Sequence, residues 1–380
     1  MSNRKKEGEK MEFHFGDFHS EVGSINPAAL PPNKRRLLTI KRMLKNLLIV
    51  AYIVGFCTVY MLLFGQENIL LGATIATCIL TMRKAVLGIK APQAVASILL
   101  CYLLIAFGPL LGGLNLFLAL PINFGCMYLI TLLTGQHVLQ KAEYNFLAAY
   151  VFAESSPVTG NAFWIRLLAL MIGGVLVAAV YYIFHRKEPG QHTLRQIFQH
   201  THLTSTRNQF AIRLAGGLTL TMLIGDIFHL QYAAWMGMPV LSLSMPFVQD
   251  TQKRAIYRMI GTLVGGVVFL VLFGYVIPEF LQLWCLVALL YIYLFLKDYR
   301  AQQMVIAIFS LNSASVFYGT GVAIEMRILL LLIGVAIVFL MNLVDYLNLM
   351  NRLDIWLYRR KRRKMAANGP SAKPKTPIKK

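Results

Sequence analysis

Long runs of apolar residues, separated by short polar segments, dominate this chain. In the first half these runs lie at about 45–64, 68–82, 91–111, 114–134, 142–154 and 163–184. In the second half they lie at about 208–229, 232–248, 255–277, 280–296, 301–318 and 326–348. A membrane-spanning helix needs about 20 mainly apolar residues, so several of these runs are short for a straight span. The pattern predicts an all-α, polytopic integral membrane protein with about twelve transmembrane helices.

Composition supports this prediction and bears on the meaning of the large positive net charge. The chain is 57% hydrophobic and only 14% charged, which excludes an ordinary soluble protein. Its net charge of +21 would suggest a nucleic-acid partner if the chain were soluble. Where the Lys and Arg residues lie along the chain therefore decides between a nucleic-acid partner and a signal of membrane topology.

The positive charge lies outside the apolar runs. Residues 1–46 carry ten Lys and Arg, 185–207 carry four and 351–380 carry eleven, and with their acids these segments supply 18 of the +21. Lys and Arg accumulate on the cytoplasmic side of membrane proteins. We therefore expect all three segments to be cytoplasmic, and we expect no nucleic-acid partner.

The short loops follow the same bias. Alternate loops, near 65–69, 108–113, 155–161, 228–231, 276–280 and 318–325, contain no Lys or Arg. The intervening loops contain Arg83, Lys84, Lys90, Lys141, Lys253, Arg254, Lys297 and Arg300. The agreement predicts a multi-pass protein of the cell membrane with both termini in the cytoplasm.

The two groups of six runs resemble each other. A shift of 165 residues places Gln93 on Arg258 and Ser97 on Thr262, together with Gly72 on Gly237 and Ala96 on Gly261. A shift of 161 places Arg166 on Arg327 and Gly173 on Gly334. Six spans return the chain to the same side, so the pattern predicts two six-helix repeats related by an axis along the membrane normal.

The predicted organisation has five parts. They are a cytoplasmic basic arm at 1–44, a first repeat at 45–184, a cytoplasmic linker at 185–207, a second repeat at 208–348 and a polybasic tail at 349–380. The linker has the pattern of a short interfacial helix. The tail places Trp356 and Tyr358 before the basic run 359–364, which predicts contact with anionic lipid headgroups.

The stretch 253–266 begins basic and continues without a break as an apolar, glycine-bearing helix. Arg258, Thr262 and Gly265 fall on one helical stripe. Gly261 and Gly265 form a small-xxx-small pair, which predicts close packing of another helix. Arg258 has two interpretations: it attracts anions at the inner mouth of a pathway, or it anchors the helix at the headgroups.

Other arginines lie within predicted spans, where a charge needs a partner or water. Arg166 and Arg327 recur near the outer end of each half, where Glu154 and Glu325 offer neutralisation as the alternative to a cavity-facing role. The candidate substrate-binding residues are therefore Arg258, Thr262, Arg213, Arg166 and Arg327.

The motif Arg-x3-Arg-x2-Gly-Thr-x2-Gly, formed by Arg254, Arg258, Gly261, Thr262 and Gly265, resembles the signature of the fusaric-acid-resistance-like family. The upstream runs 213–217 and 232–246 resemble it too, so the likeness extends over about 207–345. This family includes bacterial aromatic acid exporters and is distantly similar to plant aluminium-activated malate channels. The resemblance implies a secondary transporter that exports an organic anion, either an aromatic acid or another carboxylate.

Two other functions remain open: a passive anion channel of the malate-channel type, and a membrane scaffold without transport. The sequence shows no plausible acid, base and nucleophile set and no phosphate-binding glycine loop, so we expect neither an enzyme nor a cofactor. His192, His200 and His202 lack a fourth ligand at metal spacing, so we expect no metal site. The expected partners are membrane lipids and a small organic anion, with a homo-oligomer left open.

Overall fold

The computed structural model describes residues 32–136, 140–188, 193–199, 205–230, 233–245, 248–318 and 320–346. Within these ranges the chain is helical and contains no strand. The arm at 1–31, the three linker histidines and the polybasic tail lie outside the described residues, so the predictions made for them stay predictions.

The helices before the linker are α1 (Pro32–Phe64), α2 (Ile69–Met82), α3 (Ala91–Gly112), α4 (Leu116–Thr134), α5 (Glu143–Ser155) and α6 (Asn161–His185). The linker contains α7 (Leu194–Gln199). The helices after it are α8 (Thr206–Ile227), α9 (Ala234–Leu243), α10 (Val248–Val271), α11 (Glu279–Tyr293), α12 (Tyr299–Tyr318) and α13 (Thr320–Tyr346). A 3₁₀ turn at Gln66–Asn68 precedes α2, and a π turn at Leu272–Val276 continues α10.

Every predicted apolar run coincides with a helix, and the prediction of an all-α polytopic membrane protein is confirmed. Within the described ranges, seven helices are long and apolar enough to cross a membrane: α1, α3, α4, α6, α8, α10 and α13. Helices α9 and α11 are apolar but shorter. Helices α2 and α5 have 14 and 13 residues. The short helices α2, α5 and α9 need longer neighbours to shield their ends from lipid.

Two boundaries differ from the apolar runs. Helix α1 begins at Pro32, well before the run that starts at 45, so more than three turns of mixed basic and apolar residues precede that run. Helix α9 ends at Leu243, and Ser244 is extended (ψ 111°). Proline disfavours helical backbone in the residue before it, so Pro246 opposes a continuation of α9 through Met245.

Some helix pairs of the first half recur in the second, whereas the packing of α2 on α5 and of α3 on α4 has no comparable counterpart among the described residues. Helix α2 packs on α6 and α3 on α5, as α9 packs on α13 and α10 on α12. Glycines lie at equivalent contacts: Gly173 of α6 lies against Ile75 of α2, and a Cβ on Gly334 of α13 would lie 2.7 Å from the Met236 carbonyl oxygen of α9. The matching pairs are those expected of two copies of one six-helix arrangement.

The halves meet along two seams that correspond to each other under this repeat. At the first seam, α4 packs extensively on α8, and the Tyr128 hydroxyl donates to Asn208 Oδ1 at 2.6 Å. At the second seam, α1 meets α11 lightly, and the Tyr291 hydroxyl donates to the Met43 carbonyl oxygen at 3.5 Å. Between the two seams, α5 contacts α9.

Candidate functional site

A cavity of about 560 Å³ lies between the halves. Its walls come mainly from α5 in the first half and from α9, α10, α12 and α13 in the second. Leu70 of α2 and Trp235 of α9 both line it, and these residues are equivalent under the 165-residue shift. This cavity, here named the central cavity, is thus bordered by residues from both halves that the predicted repeat makes equivalent.

One face of α12 forms the longest wall of the central cavity. Its lining residues are Tyr299, Gln302, Gln303, Ile306, Phe309, Ser310 and Ser313. They recur every three or four residues and so form one helical stripe. From Tyr299 to Ser313 the stripe extends about 21 Å at 1.5 Å per residue, most of a hydrocarbon core about 30 Å thick.

The charged residues lining the central cavity are all cationic. They are Lys141, Arg254, Arg258 and Arg327, and the lining residues that the structure describes include no Asp or Glu. Like charges in a low-dielectric space repel and raise the positive potential there. The arrangement therefore favours an anion inside the cavity.

Arg258 lies on α10 and is 2% exposed. Its Nη1 donates to the hydroxyl of Ser242 on α9 at 2.5 Å, while its Nε has no hydrogen-bond partner among the described residues. Leaving a buried polar group unpaired costs about 1–3 kcal/mol, and more for a charged group. Arg258 thus retains a donor that an anionic ligand can use.

Arg327 lies near the start of α13 and is 3% exposed. Its guanidinium carbon lies 5.1 Å from the centroid of the Trp235 ring, which is a cation–π geometry. Its Nε also lacks a hydrogen-bond partner within the described part of the chain. The Trp235 ring contacts the face of the Arg327 guanidinium, so N–H groups at the edge of the guanidinium are left for a ligand.

Lys141 marks the end of the central cavity that the charge bias predicts to be cytoplasmic. It lies between α4 and α5 with a positive φ of 48°, a conformation that non-glycine residues adopt at a cost. Burial lowers the pKa of Lys141, repulsion from Arg254 lowers it further, and the Glu143 carboxylate opposes both effects. A lysine with a lowered pKa loses its charge at a lower pH than an exposed lysine does, so the positive potential here falls as pH rises.

Aromatic side chains line much of the remaining surface. They are Tyr144, Phe152, Trp235, Tyr293, Tyr299 and Phe309. Aromatic rings offer large apolar contact areas, and tyrosine and tryptophan add a polar group at the edge. The central cavity therefore combines cationic groups with apolar walls.

The structure places Arg166 away from the central cavity. Its guanidinium donates to Asn68 Oδ1 at 2.9 Å and to the carbonyl oxygens of Ser156, Ala153 and Glu67 at 2.5, 3.3 and 3.3 Å. It joins the ends of α5 and α6 to the turn before α2 and borders a smaller cavity of about 140 Å³. Its role as a substrate-binding residue stays a prediction.

Arg213 and Thr262 are buried and do not line the central cavity. Arg213 on α8 donates to Asn342 Oδ1 at 3.4 Å and to the Met245 carbonyl oxygen at 3.3 Å, which ties α8 to α13 and to the segment after α9. Thr262 lies one turn beyond Arg258 on α10. Of the five candidate substrate-binding residues, the structure brings Arg258 and Arg327 together around one space.

Gly261 and Gly265 lie where α10 crosses α12. A Cβ on Gly261 would lie 2.6 Å from the Arg300 carbonyl oxygen, and one on Gly265 would lie 2.6 Å from that of Met304. Atoms cannot approach so closely, so a side chain at either position would force the helices apart. The two glycines set the position of the α12 wall relative to Arg258.

Several cavity residues were not among the sequence candidates: Lys141, Trp235, Ser242, Tyr299, Gln302 and Gln303. A signal for Gln302 and Gln303 was present, because these polar residues lie at helical spacing with Ser310 and Ser313 within a predicted span. The sequence offered no such pattern for Lys141 and Trp235. They line the central cavity only because of the way in which helices of the two halves pack against each other.

Residues 220–341 match the sequence model of the family described as fusaric acid resistance protein-like. This segment begins in α8 and ends in α13, so it contains Arg258, Arg327 and most of the cavity wall. The resemblance inferred from the motif is confirmed over this segment, and it supports a membrane transporter. No curated protein and no solved structure is significantly similar to the chain. The likeness to the malate channels stays a prediction.

Proposed function

We propose that the protein is a secondary transporter of the cell membrane that exports an organic anion through the central cavity. The observation that carries this proposal is a membrane-embedded space lined by four cationic side chains and, among its described lining residues, by no acid. A cavity that concentrates positive charge inside a membrane attracts anions and repels cations.

The size and walls of the cavity support an organic substrate. Its volume of about 560 Å³ lies within the range of about 300–1,000 Å³ typical of small-molecule sites. Six aromatic side chains provide contacts for an apolar or aromatic body, and the arginines can bind a carboxylate through paired N–H groups. An aromatic or aliphatic carboxylate satisfies both kinds of surface.

The alternative is a passive anion channel, and one observation favours it. The α12 stripe extends along most of the membrane thickness, with Arg254 and Lys141 at one end of the cavity and Arg327 near the other. A continuous positively lined path would conduct anions without a coupling ion. The alternative predicts current wherever an anion gradient exists.

Flux into liposomes distinguishes these functions. Purified protein is reconstituted, and benzoate uptake and efflux are measured with and without an imposed pH gradient. The flux into protein-free liposomes under the same conditions is subtracted, because benzoic acid crosses a bilayer as the neutral acid and follows a pH gradient without a carrier. A transporter accumulates benzoate against its concentration gradient when the pH gradient is present. A channel dissipates the benzoate gradient and passes current in both conditions. No flux in either condition contradicts both functions and leaves the scaffold.

Arg258 provides the sharpest test of the site. Replacing Arg258→Gln gives the residue that the first half carries at the equivalent position, and we expect the half-saturating benzoate concentration to rise several-fold. The reason is electrostatic: one charge at contact is worth at most a few kcal/mol at an effective dielectric near 20, and removing one of four partly solvated cations should weaken binding by on the order of 1 kcal/mol. Arg258→Lys should restore part of the affinity if charge suffices, and little if paired N–H contacts are required.

The matched control is Arg186→Gln, which removes one cation from the exposed end of α6. It should leave the concentration dependence unchanged. If Arg258→Gln inserts normally and transports benzoate as the parent protein does, Arg258 is a topology anchor and the proposed site is wrong.

The proposed orientation places both termini in the cytoplasm. A cysteine at Thr159, which is exposed beside α6, should react with an impermeant thiol reagent added outside intact cells. A cysteine at His192 should react only after the membrane is opened. Outside labelling at His192 would contradict the proposed orientation.

A further inference from the structure

A second cavity, of about 280 Å³, lies beside the central cavity and is here named the side cavity. Its walls come mainly from α1, α2, α5 and α11, with one residue each from α9 and α12. Five residues line both cavities: Tyr144, Phe152, Met238, Tyr293 and Gln302. The two spaces are therefore neighbours that share one boundary.

The side cavity is apolar. Its lining residues, all of them described, include no charged group, and they are largely aliphatic or aromatic. The polar ones partly satisfy each other, because Asn145 Nδ2 donates to Thr81 Oγ1 at 3.0 Å and Thr77 Oγ1 donates to Asn145 Oδ1 at 3.4 Å. Such a surface binds hydrocarbon, whereas the central cavity binds charge.

Helix α1 carries unused hydrogen-bonding groups before the residues that line the side cavity. Arg42 and Asn46 lie on α1 at helical spacing from the lining residues Ile49 and Ile53, so they share that face. Asn46 is fully buried, and neither its Oδ1 nor its Nδ2 has a partner among the described residues. The Nε of Arg42 is also unpartnered there. This face of α1 therefore offers a cation and a buried amide one to three turns before its cavity-lining residues.

The side cavity lies behind the lighter of the two seams. Helix α11 has no buried residue, and α1 is mostly exposed, as expected of helices that face lipid. The described hydrogen bond between them is the long one from Tyr291 to Met43. A small separation of α1 and α11 would connect the side cavity with the bilayer.

We propose that the two cavities form one binding site for an amphiphilic organic acid. The acid group lies near Arg258 in the central cavity and the apolar body lies in the side cavity. The molecule enters between α1 and α11, with Arg42 and Asn46 receiving the acid group first. This inference rests on the proposed anion site, and it adds the substrate class, the route and the residues that select the apolar body.

Binding should depend on chain length in a defined way. Burying one methylene group is worth about 0.8 kcal/mol, which corresponds to about fourfold in affinity. Butane-, hexane- and octanesulfonate provide the series, because a sulfonate stays ionised and does not cross the bilayer as a neutral acid. Dissociation constants are measured by calorimetry on the full chain in nanodiscs, with empty nanodiscs subtracted. We expect affinity to rise about fourfold or somewhat less for each methylene added.

Two variants localise the effect. Ile53→Trp fills the side cavity from α1, and it should abolish the gain from hexane- to octanesulfonate while leaving butanesulfonate binding unchanged. The control is Val59→Trp on the same helix, where the side chain is 55% exposed and does not line the cavity. Leu290→Trp fills the opposite wall from α11 and should reproduce the effect if Ile53→Trp does not fold.

The outcomes separate this inference from the proposed function. A flat chain-length series in a protein that still transports benzoate overturns the amphiphilic site and leaves the anion site intact. A phospholipid retained through purification, together with a flat series, shows that a lipid tail occupies the side cavity and likewise overturns it. A chain-length series that the two filling variants remove, in a protein without benzoate flux, supports the two-cavity site and counts against transport.

Discussion

Arg166 and Arg327 lie at equivalent places in the two halves and have different surroundings. Both are almost fully buried near the first turns of a long helix, α6 or α13. Arg166 donates to Asn68 and to three backbone carbonyl oxygens. Arg327 lies over Trp235, lines the central cavity and keeps an unpartnered Nε among the described residues.

The difference follows from the residues around each arginine. The 165-residue shift places Ala233 where the first half has Asn68, so the side-chain acceptor of Arg166 has no counterpart at that position. The equivalent residues Gln93 and Arg258 also differ in whether they join helices or line the central cavity. Gln93 accepts from the backbone N–H of Leu194 and so holds α7, whereas Arg258 lines the cavity. One copy uses these positions to join elements, and the other copy presents them to the central space.

The largest expected effect separates the two arginines. Arg166→Met leaves four acceptors without their donor, and at about 1 kcal/mol or more for each we expect the free energy of unfolding to fall by about 4 kcal/mol or more, with little folded protein. Arg327→Met removes fewer protein contacts, so the protein should fold and lose benzoate flux. Folded yield by size exclusion and flux in liposomes measure the two outcomes. Normal folding of Arg166→Met would show that its network is dispensable and would weaken the comparison.

The adjacent residues Gly265 and Gly266 on α10 test whether close packing against α12 holds the cavity wall in place. Gly265→Ala places a methyl group 2.6 Å from the Met304 carbonyl oxygen, while Gly266→Ala meets its nearest atom at 3.9 Å. Overpacking typically costs about 1–3 kcal/mol, so Gly265→Ala should lower the thermal unfolding midpoint in detergent. Gly266→Ala should leave it unchanged or raise it slightly. Equal midpoints would mean that α12 can shift without cost.

The two seams give the smallest expected difference. Tyr128→Phe removes a 2.6 Å hydrogen bond to Asn208, and Tyr291→Phe removes a 3.5 Å contact with Met43. A typical hydrogen bond contributes about 1 kcal/mol, so Tyr128→Phe should destabilise the protein measurably and Tyr291→Phe hardly at all. A larger effect of Tyr291→Phe would show that the α1–α11 seam is not the lighter one.

The sequence predicted most of the fold because apolar runs and charge bias are local signals. It also singled out Arg258 and the glycine pair, since both belong to one continuous helical stripe. It did not separate Arg327 from Arg166, because the two arginines have similar neighbours along the chain. Their difference arises from residues distant in sequence, such as Asn68 and Trp235. Lys141 was counted only as an inner-loop charge for the same reason: its contact with the cavity depends on the packing of α5 against the second half.

The positive central cavity is the core of this account, and a cysteine at Ser313 tests it directly. Ser313 lines the cavity on α12, and the five native cysteines do not line it. The thiol is modified with methanethiosulfonates of similar size that carry either a sulfonate or a trimethylammonium group, and each rate is divided by that for a free thiol. We predict that the sulfonate reagent reacts at least about tenfold faster, that benzoate slows it, and that Arg327→Gln reduces the preference. Equal rates for the two reagents, with no protection by benzoate, would contradict an anion site between the halves.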